Sequence, residues 1–345
     1  MGAVSVVESL SPTQIAAWDG GETAVAEQVA PDVWAIPVPI PAGTIPHTLC
    51  YALLDDRGVH LVDPGWGDET GIEALTAGLL AAGRALGDVR TAIATHFHPD
   101  HLGAASVLRG LVGARVVFSS VEQRVLQSET SPAATDAPAY RATLREWGVP
   151  DGEWEALLAS FDRPSLVSSA APDQVIGDNS VLELGTHRLR VIATPGHTDG
   201  HVCLVDEERG LLYSGDHVLP RIYSGIGIGT LPGSDPLGDY FASLDRLAPY
   251  DRYTVLPGHE YSFRGLDARR AQLIAHHLRR TAEVAALQEE LGDAPVWEYA
   301  RRLTWTAGWD GMRGFWLHSA LRQTALHREY ARTDGARERL AVAAV

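Results

Sequence analysis

Lysine is absent from this 345-residue chain, so all 28 basic residues are arginine. Without a side-chain amine the chain cannot form a Schiff base, nor can it supply the lysine of a phosphate-binding P-loop. Cysteine is nearly as scarce. Cys50 and Cys203 are the only two, too few for a disulfide framework and not spaced as C-x-x-C, so both are expected as small buried residues. No apolar run approaches the ~18 residues a membrane helix requires. Met1 to Glu8 lacks the basic region and long apolar core of a secretory signal, so a cytoplasmic location without membrane association is expected. Positive charge is also short overall: 44 acidic against 28 basic residues leave −16. That balance repels a phosphate backbone and disfavours nucleic acid as a partner. A small-molecule substrate is expected instead, and nothing in the sequence fixes an oligomeric state.

What remains is an ordinary globular composition, 45% hydrophobic and 21% charged, with length enough for a core domain and an appendage. Residues 1–30 are mixed and poorly periodic and read as an N-terminal extension. Strand-length apolar stretches follow at 33–39, 48–54 and 59–62, then a helix at 72–86, a strand at 91–95, a helix at 104–111 and a strand at 114–118. From 119 to 173 the prolines Pro132, Pro138, Pro150 and Pro164 separate short helical patterns at 140–147 and 153–161, which reads as an insertion. Strands resume at 181–184, 187–194, 202–205 and 211–214, a helix at 239–247 and a strand at 253–256. Helices at 266–291, 296–303 and 315–330 end the chain. The expected organisation is a catalytic domain over 31–260, carrying the insertion, and a helical C-terminal segment over 261–345.

The informative stretch is Thr95-His96-Phe97-His98-Pro99-Asp100-His101, directly after a strand. Alternation puts His96 and His98 on one side of an extended segment, where both imidazoles can converge on one ion. Asp100 and His101 follow in a turn stiffened by Pro99 and point to a second position nearby. Imidazole suits zinc, and a carboxylate suits a harder or more exposed ion.

This stretch resembles the H-x-H-x-D-H hallmark of the metallo-β-lactamase superfamily, and the resemblance continues in order. Upstream, Leu61-Val62-Asp63-Pro64-Gly65 is similar to the aspartate motif that supports the site from behind. Downstream stand Thr194-Pro195-Gly196-His197-Thr198, Ser214-Gly215-Asp216 and Leu256-Pro257-Gly258-His259. Taken singly, His197 and His259 also fit ordinary turn residues after Pro-Gly, and Asp216 fits an Asx turn. The resemblance implies an α/β fold, a four-layer αββα sandwich, with the helical insertion and helical C-terminal segment added. It assigns His96, His98 and His197 to one metal, Asp100, His101 and His259 to another, and Asp216 as the bridge. Asp100 and Asp216 are the carboxylates expected to serve catalysis. The implied cofactors are two divalent ions, zinc by expectation, with iron or manganese as alternatives.

The reaction implied is hydrolysis by a metal-bridging hydroxide, and no G-x-S-x-G nucleophile elbow competes with it. True β-lactamases lack the bridging aspartate, and glyoxalase II enzymes use lysine for glutathione. An ester, thioester or lactone of an organic acyl group is the expected substrate. The alternatives are a mononuclear-iron oxidoreductase resembling persulfide dioxygenases and a ribonuclease or phosphodiesterase of the same superfamily. Further candidates are Asp63 behind the site, Asp199 and His201 around it, and His217 facing either substrate or core. Arg221 is a candidate for a substrate carboxylate or phosphate, and Tyr223 for the rim. The insertion, with Tyr140, Trp147, Trp154 and Phe161, and the loop at 222–228 are expected to rim an apolar pocket. His276 and His277 are expected on a helix surface.

Overall fold

The computed structural model describes residues 6–41, 45–128, 137–159, 171–305 and 308–343. Two seven-stranded sheets carry the fold. The first runs β2 (Glu27–Ala30), β3 (Val33–Pro39), β4 (His47–Leu54), β5 (Val59–Val62), β6 (Val89–Ile93), β7 (Arg115–Ser119) and β8 (Gln174–Ile176). Its first half is antiparallel, and β5 to β8 pair in parallel, as β-α-β crossovers require. Two helices make the first two crossovers, α2 (Glu69–Ala81) and α3 (Pro99–Val112). The second sheet runs β1 (Glu8–Ser9), β14 (Phe263–Arg264), β13 (Thr254–Pro257), β12 (Leu211–Gly215), β11 (Val202–Asp206), β10 (His187–Ala193) and β9 (Val181–Leu184). Its one parallel pair, β12 with β13, is bridged by α7 (Pro236–Arg246).

Alternation along the strands sorts side chains into layers. Val33, Leu49, Tyr51 and Ile93 of the first sheet meet Val191, Leu204, Tyr213 and Leu256 of the second in a core between the sheets. The opposite faces carry Cys50 and Leu61 against Leu75, Leu79 and Leu102 of α2 and α3. On the other side Cys203 and Leu212 pack against Tyr240 and Leu244 of α7 and Leu273 of α8 (Leu266–Leu291). The result is the expected four-layer sandwich, and both cysteines are free and buried within it. No described helix is long and apolar enough to cross a membrane.

Three expectations change. Residues of the supposed N-terminal extension enter both sheets: β1 pairs with β14 at Glu8↔Arg264, β2 pairs with β3, and α1 (Pro12–Gly20) lies between them. Asp100 and His101 do not sit in a free turn. Pro99 occupies the first turn of α3, where its missing N–H costs nothing and its fixed φ favours the helix. Finally, the insertion holds α4 (Ser120–Gln127), α5 (Ala137–Glu146) and α6 (Trp154–Ala159). Its Leu144, Trp147 and Leu157 pack with Val296 and Ala300 of α9 (Val296–Ala300) and with Leu317 and Leu321 of α10 (Gly314–Tyr330), with Tyr140 and Trp154 against the same cluster. The insertion aromatics thus build a shared helical core with the C-terminal segment. Phe161 lies outside the described residues.

The candidate metal centre

The candidate residues converge where strands of both sheets end. His96 and His98 follow β6, His197 follows β10, Asp216 follows β12 and His259 follows β13. Hydrogen bonds between the sheets close this end: Val202 N–H donates to Thr95 O at 2.9 Å and Leu49 N–H to Gly258 O at 2.7 Å. Two glycines are required by close approach. A Cβ on Gly258 would lie 2.5 Å from Asp216 Oδ1 and 2.6 Å from His101 Cε1. Gly215 has φ +49, and its Cβ would lie 2.5 Å from Thr95 Oγ1; only a residue without a side chain fits.

Hydrogen-bond partners fix which ring nitrogen of each histidine faces inward. His197 Nδ1 is 2.6 Å from Gly225 O, His98 Nε2 is 3.2 Å from Ile228 O, and His259 Nδ1 is 2.9 Å from His47 O. A carbonyl only accepts, so each of these nitrogens carries a proton and the ring's other nitrogen faces inward. His101 Nδ1 faces Asp63 Oδ2 at 3.0 Å. Thr95 Oγ1 donates to Asp63 Oδ2 at 2.9 Å and therefore accepts from His96 Nδ1 at 3.0 Å. All five rings thus turn their other nitrogen toward one another.

The inward atoms form three overlapping groups: His96, His98 and His197; His96, His101 and Asp216; and Asp100, His101 and His259. Within each group the ligand atoms lie within 4.8 Å of one another. His98 Nδ1 is 2.9 Å from His96 Nε2 and 3.1 Å from His197 Nε2. Lone pairs at that separation repel unless a cation lies between them. The spacing is near the ~3.3 Å edge of a tetrahedron with ~2.0 Å metal–nitrogen bonds. On the other side Asp216 Oδ1 is 3.4 Å from both His101 Nε2 and His259 Nε2, while its Oδ2 is 3.7 Å from His197 Nε2. Asp100 Oδ2 is 3.3 Å from His259 Nε2. The donor set fits divalent cations.

Electrostatics divide the cluster in two. Burial holds His98 down to about 3 and lowers His96 and His197, so these three rings are neutral. Burial also pulls on His101 and His259, but Asp216 and Asp100 outweigh it, raising His101 well above its usual value and His259 to about 10. Burial works against ionisation of Asp100 and Asp216, yet His101 and His259 hold both carboxyls below the usual carboxylate range. His98 and Asp100 are only half-buried, so the cluster opens on their side.

The outer candidates separate. Asp63 is buried with φ +53 and, besides its contacts above, accepts from Thr95 N–H at 2.7 Å. His201 Nε2 accepts from Asp216 N–H at 3.2 Å, fixing that aspartate's backbone. Asp199 accepts from Leu231 N–H and Ser234 Oγ, holding the loop beyond residue 228. His217 is fully buried against Tyr240, the core alternative of its two readings. Arg221 is engaged within the chain, by Glu260 at 3.1 Å and Asp19 at 2.7 Å. Tyr223 is exposed and stacks on His276 at 3.8 Å. His277 is buried at 3% exposure, not on a helix surface, because the helix α10 covers it.

Three contributors were not anticipated. Glu260, at φ +70, accepts from Arg221 N–H and Ile222 N–H. Arg269 on α8 is 2% exposed and donates to the carbonyls of Leu219, Arg221 and Ile222. Its signal is an arginine three residues after Leu266 and four before Leu273, on the apolar stripe of α8. Glu122 is fully buried, accepts from Thr198 Oγ1, and is raised by burial to about 8.

The profile of the metallo-beta-lactamase superfamily matches residues 43–259, more than half of the chain. The chain belongs to the metallo-β-lactamase superfamily. A crystal structure of a metallo-beta-lactamase family protein from Thermus thermophilus has a TM-score of 0.72 and 30% identity, covering 89% of this chain and 95% of that one. This superfamily member is also similar to acyl-coenzyme A thioesterase MBLAC2 of Bos taurus, 34% identical over 180 residues, or 50% of this chain and 56% of the relative. It thus spans little more than half the length of that relative. The probable metallo-hydrolase YqjP of Bacillus subtilis (strain 168) is 26% identical over 265 residues, covering 75% of this chain and 81% of the relative.

Proposed function

We propose that this chain is a two-metal hydrolase of acyl esters and thioesters. The observation that carries the reading is Asp216, whose Oδ1 faces His101 and His259 while its Oδ2 faces His197. One carboxylate thereby joins two sets of inward-facing nitrogens. His96, His98 and His197 would hold one cation and Asp100, His101 and His259 the other. Divalent cations held there, zinc being favoured by the imidazole-rich donor set, would lower the pKa of bound water toward neutrality and polarise a substrate carbonyl.

The chain's own groups do the rest. Asp63, Gly225 O, Ile228 O and His47 O hold the rings in one tautomer and orientation. Asp100, at the open side and anionic at neutral pH, can accept a hydrogen bond from entering water. The acyl assignment is supported by the likeness to a thioesterase over half of this chain and by the engagement of Arg221 with Glu260 and Asp19, which leaves no free cation there for a phosphodiester. A complete second donor set, Asp100, His101 and His259, supports a metal pair over a single-iron oxidoreductase. The test is a parallel assay of zinc-loaded protein on p-nitrophenyl esters, acyl thioesters, lactones and bis-p-nitrophenyl phosphate. Turnover should be confined to the carbonyl substrates; a preference for the phosphodiester contradicts the proposal.

A further inference from the structure

The helix α1, outside the matched family region, is carried by an N-terminal segment that is fastened at three points to the segments that follow Asp216 and His259. Ser262 N–H donates to the buried Gln14 Oε1 at 2.8 Å, Leu10 N–H donates to Ser262 O at 2.9 Å, and Asp19 pairs with Arg221 at 2.7 Å. Its own ends are fixed by the Ser11 cap, which accepts from Gln14 N–H at 3.0 Å, and by Gly21 in the left-handed region. This anchoring sets Trp18 edge-on to His47 at 5.7 Å between centroids and 6.4 Å from His259. His259 is 1% exposed and His47 is fully buried, whereas Trp18 is only half-buried. Part of a large apolar ring is therefore uncovered beside the two buried histidines.

The guanidinium nearby is already paired. The Arg221 guanidinium is shared between the buried Glu260 and Asp19, so no unbalanced cation is left to select an acidic substrate. Tyr223, on the same loop as Arg221, lies flat on His276 with the Arg269 guanidinium 4.9 Å from its ring. An indole with neutralised polar neighbours suits an uncharged apolar group, as rings with few polar contacts do in ligand clefts.

We infer that α1 is a wall of the substrate site and that Trp18 contacts the apolar acyl chain of the substrate, an inference that rests on the acyl-hydrolase reading above. Chain-length preference is then set from the N-terminal segment. The rim expected from the insertion instead packs against α9 and α10.

The test compares zinc-loaded wild type with Trp18→Ala and Trp18→Gln, the latter keeping bulk beside His259 but not apolarity. Two readouts are taken: kinetics on p-nitrophenyl acetate and octanoate, and calorimetric binding of acetate and octanoate, with zinc content measured throughout. Trp18→Gln should raise KM for the octanoate ester about tenfold more than KM for the acetate ester and keep zinc content unchanged. Retained chain-length discrimination with zinc bound overturns the inference. Loss of zinc in both variants also overturns it, because Trp18 is then a prop for His259. If wild type hydrolyses no ester, binding decides separately from the hydrolase reading. Tighter octanoate than acetate binding that Trp18→Gln abolishes sustains the wall; equal binding in wild type refutes it.

Discussion

Asp63 Oδ2 lies 3.0 Å from His101 Nδ1, and this contact determines that His101 presents Nε2 to Asp216 and Asp100. The same carboxylate accepts from both the N–H and Oγ1 of Thr95, the residue before His96. One residue behind the cluster therefore orients donors of both candidate metal groups. Asp63→Ala should weaken zinc binding about 10–100-fold, read by competition with a chromophoric chelator. Unchanged affinity would show that ring orientation is set elsewhere.

Protonation gives a second expectation. Without a cation, His259 is held to about 10 and His101 is raised, so both are protonated at neutral pH. Each folded pKa lies above the ordinary imidazole value of ~6.5. The stabilisation is therefore fully present below ~6.5 and is lost as pH climbs toward 10. Metal-free protein should melt at falling temperature between pH 7 and 10, while zinc-loaded protein should not show this trend. Zinc uptake at pH 7 should release on the order of two protons per chain, read by calorimetry in buffers of different ionisation enthalpy. No proton release would contradict the protonated state of His101 and His259 in the metal-free protein.

Arg269 makes the C-terminal segment part of the site. It ties α8 to Leu219, Arg221 and Ile222, the loop that follows Asp216. Arg269→Ala leaves three carbonyls without that donor, a loss of about 3 kcal/mol or more. The melting temperature should fall by about 5–10 °C, with turnover reduced. Arg269→Lys should rescue little, since one ammonium lacks the planar fork. A lysine variant with full stability and activity would refute the clamp.

These residues mark what the sequence makes legible. Strands 33–39, 59–62 and 181–184 and the helix 266–291 coincide with the structure because apolar stretches bounded by turn residues, and apolar residues at helical spacing, specify them. The motif residues stand at strand ends, so their order alone announces a cluster. By contrast, β1 has only two residues and β2, Glu27-Gln28-Val29-Ala30, is half polar, and their place depends on distant partners such as Arg264. Trp18, Arg269 and Glu260 reach the site only through tertiary contacts that local spacing does not encode. Arg221 carried the right residue type for substrate binding, yet Asp19 and Glu260, remote in sequence, claim its guanidinium. The insertion aromatics had helical spacing consistent with either a rim or a core, and their partners on α9 and α10 decided for core.

The central claim is that Asp216 joins two metal positions through its two oxygens. Elemental analysis of zinc-reconstituted wild type and Asp216→Ala, with ester turnover measured on the same samples, tests it most directly. Close to two zinc ions are expected per wild-type chain, and in the variant fewer ions and no turnover. One ion per wild-type chain, or a variant that keeps both ions and full activity, would contradict it.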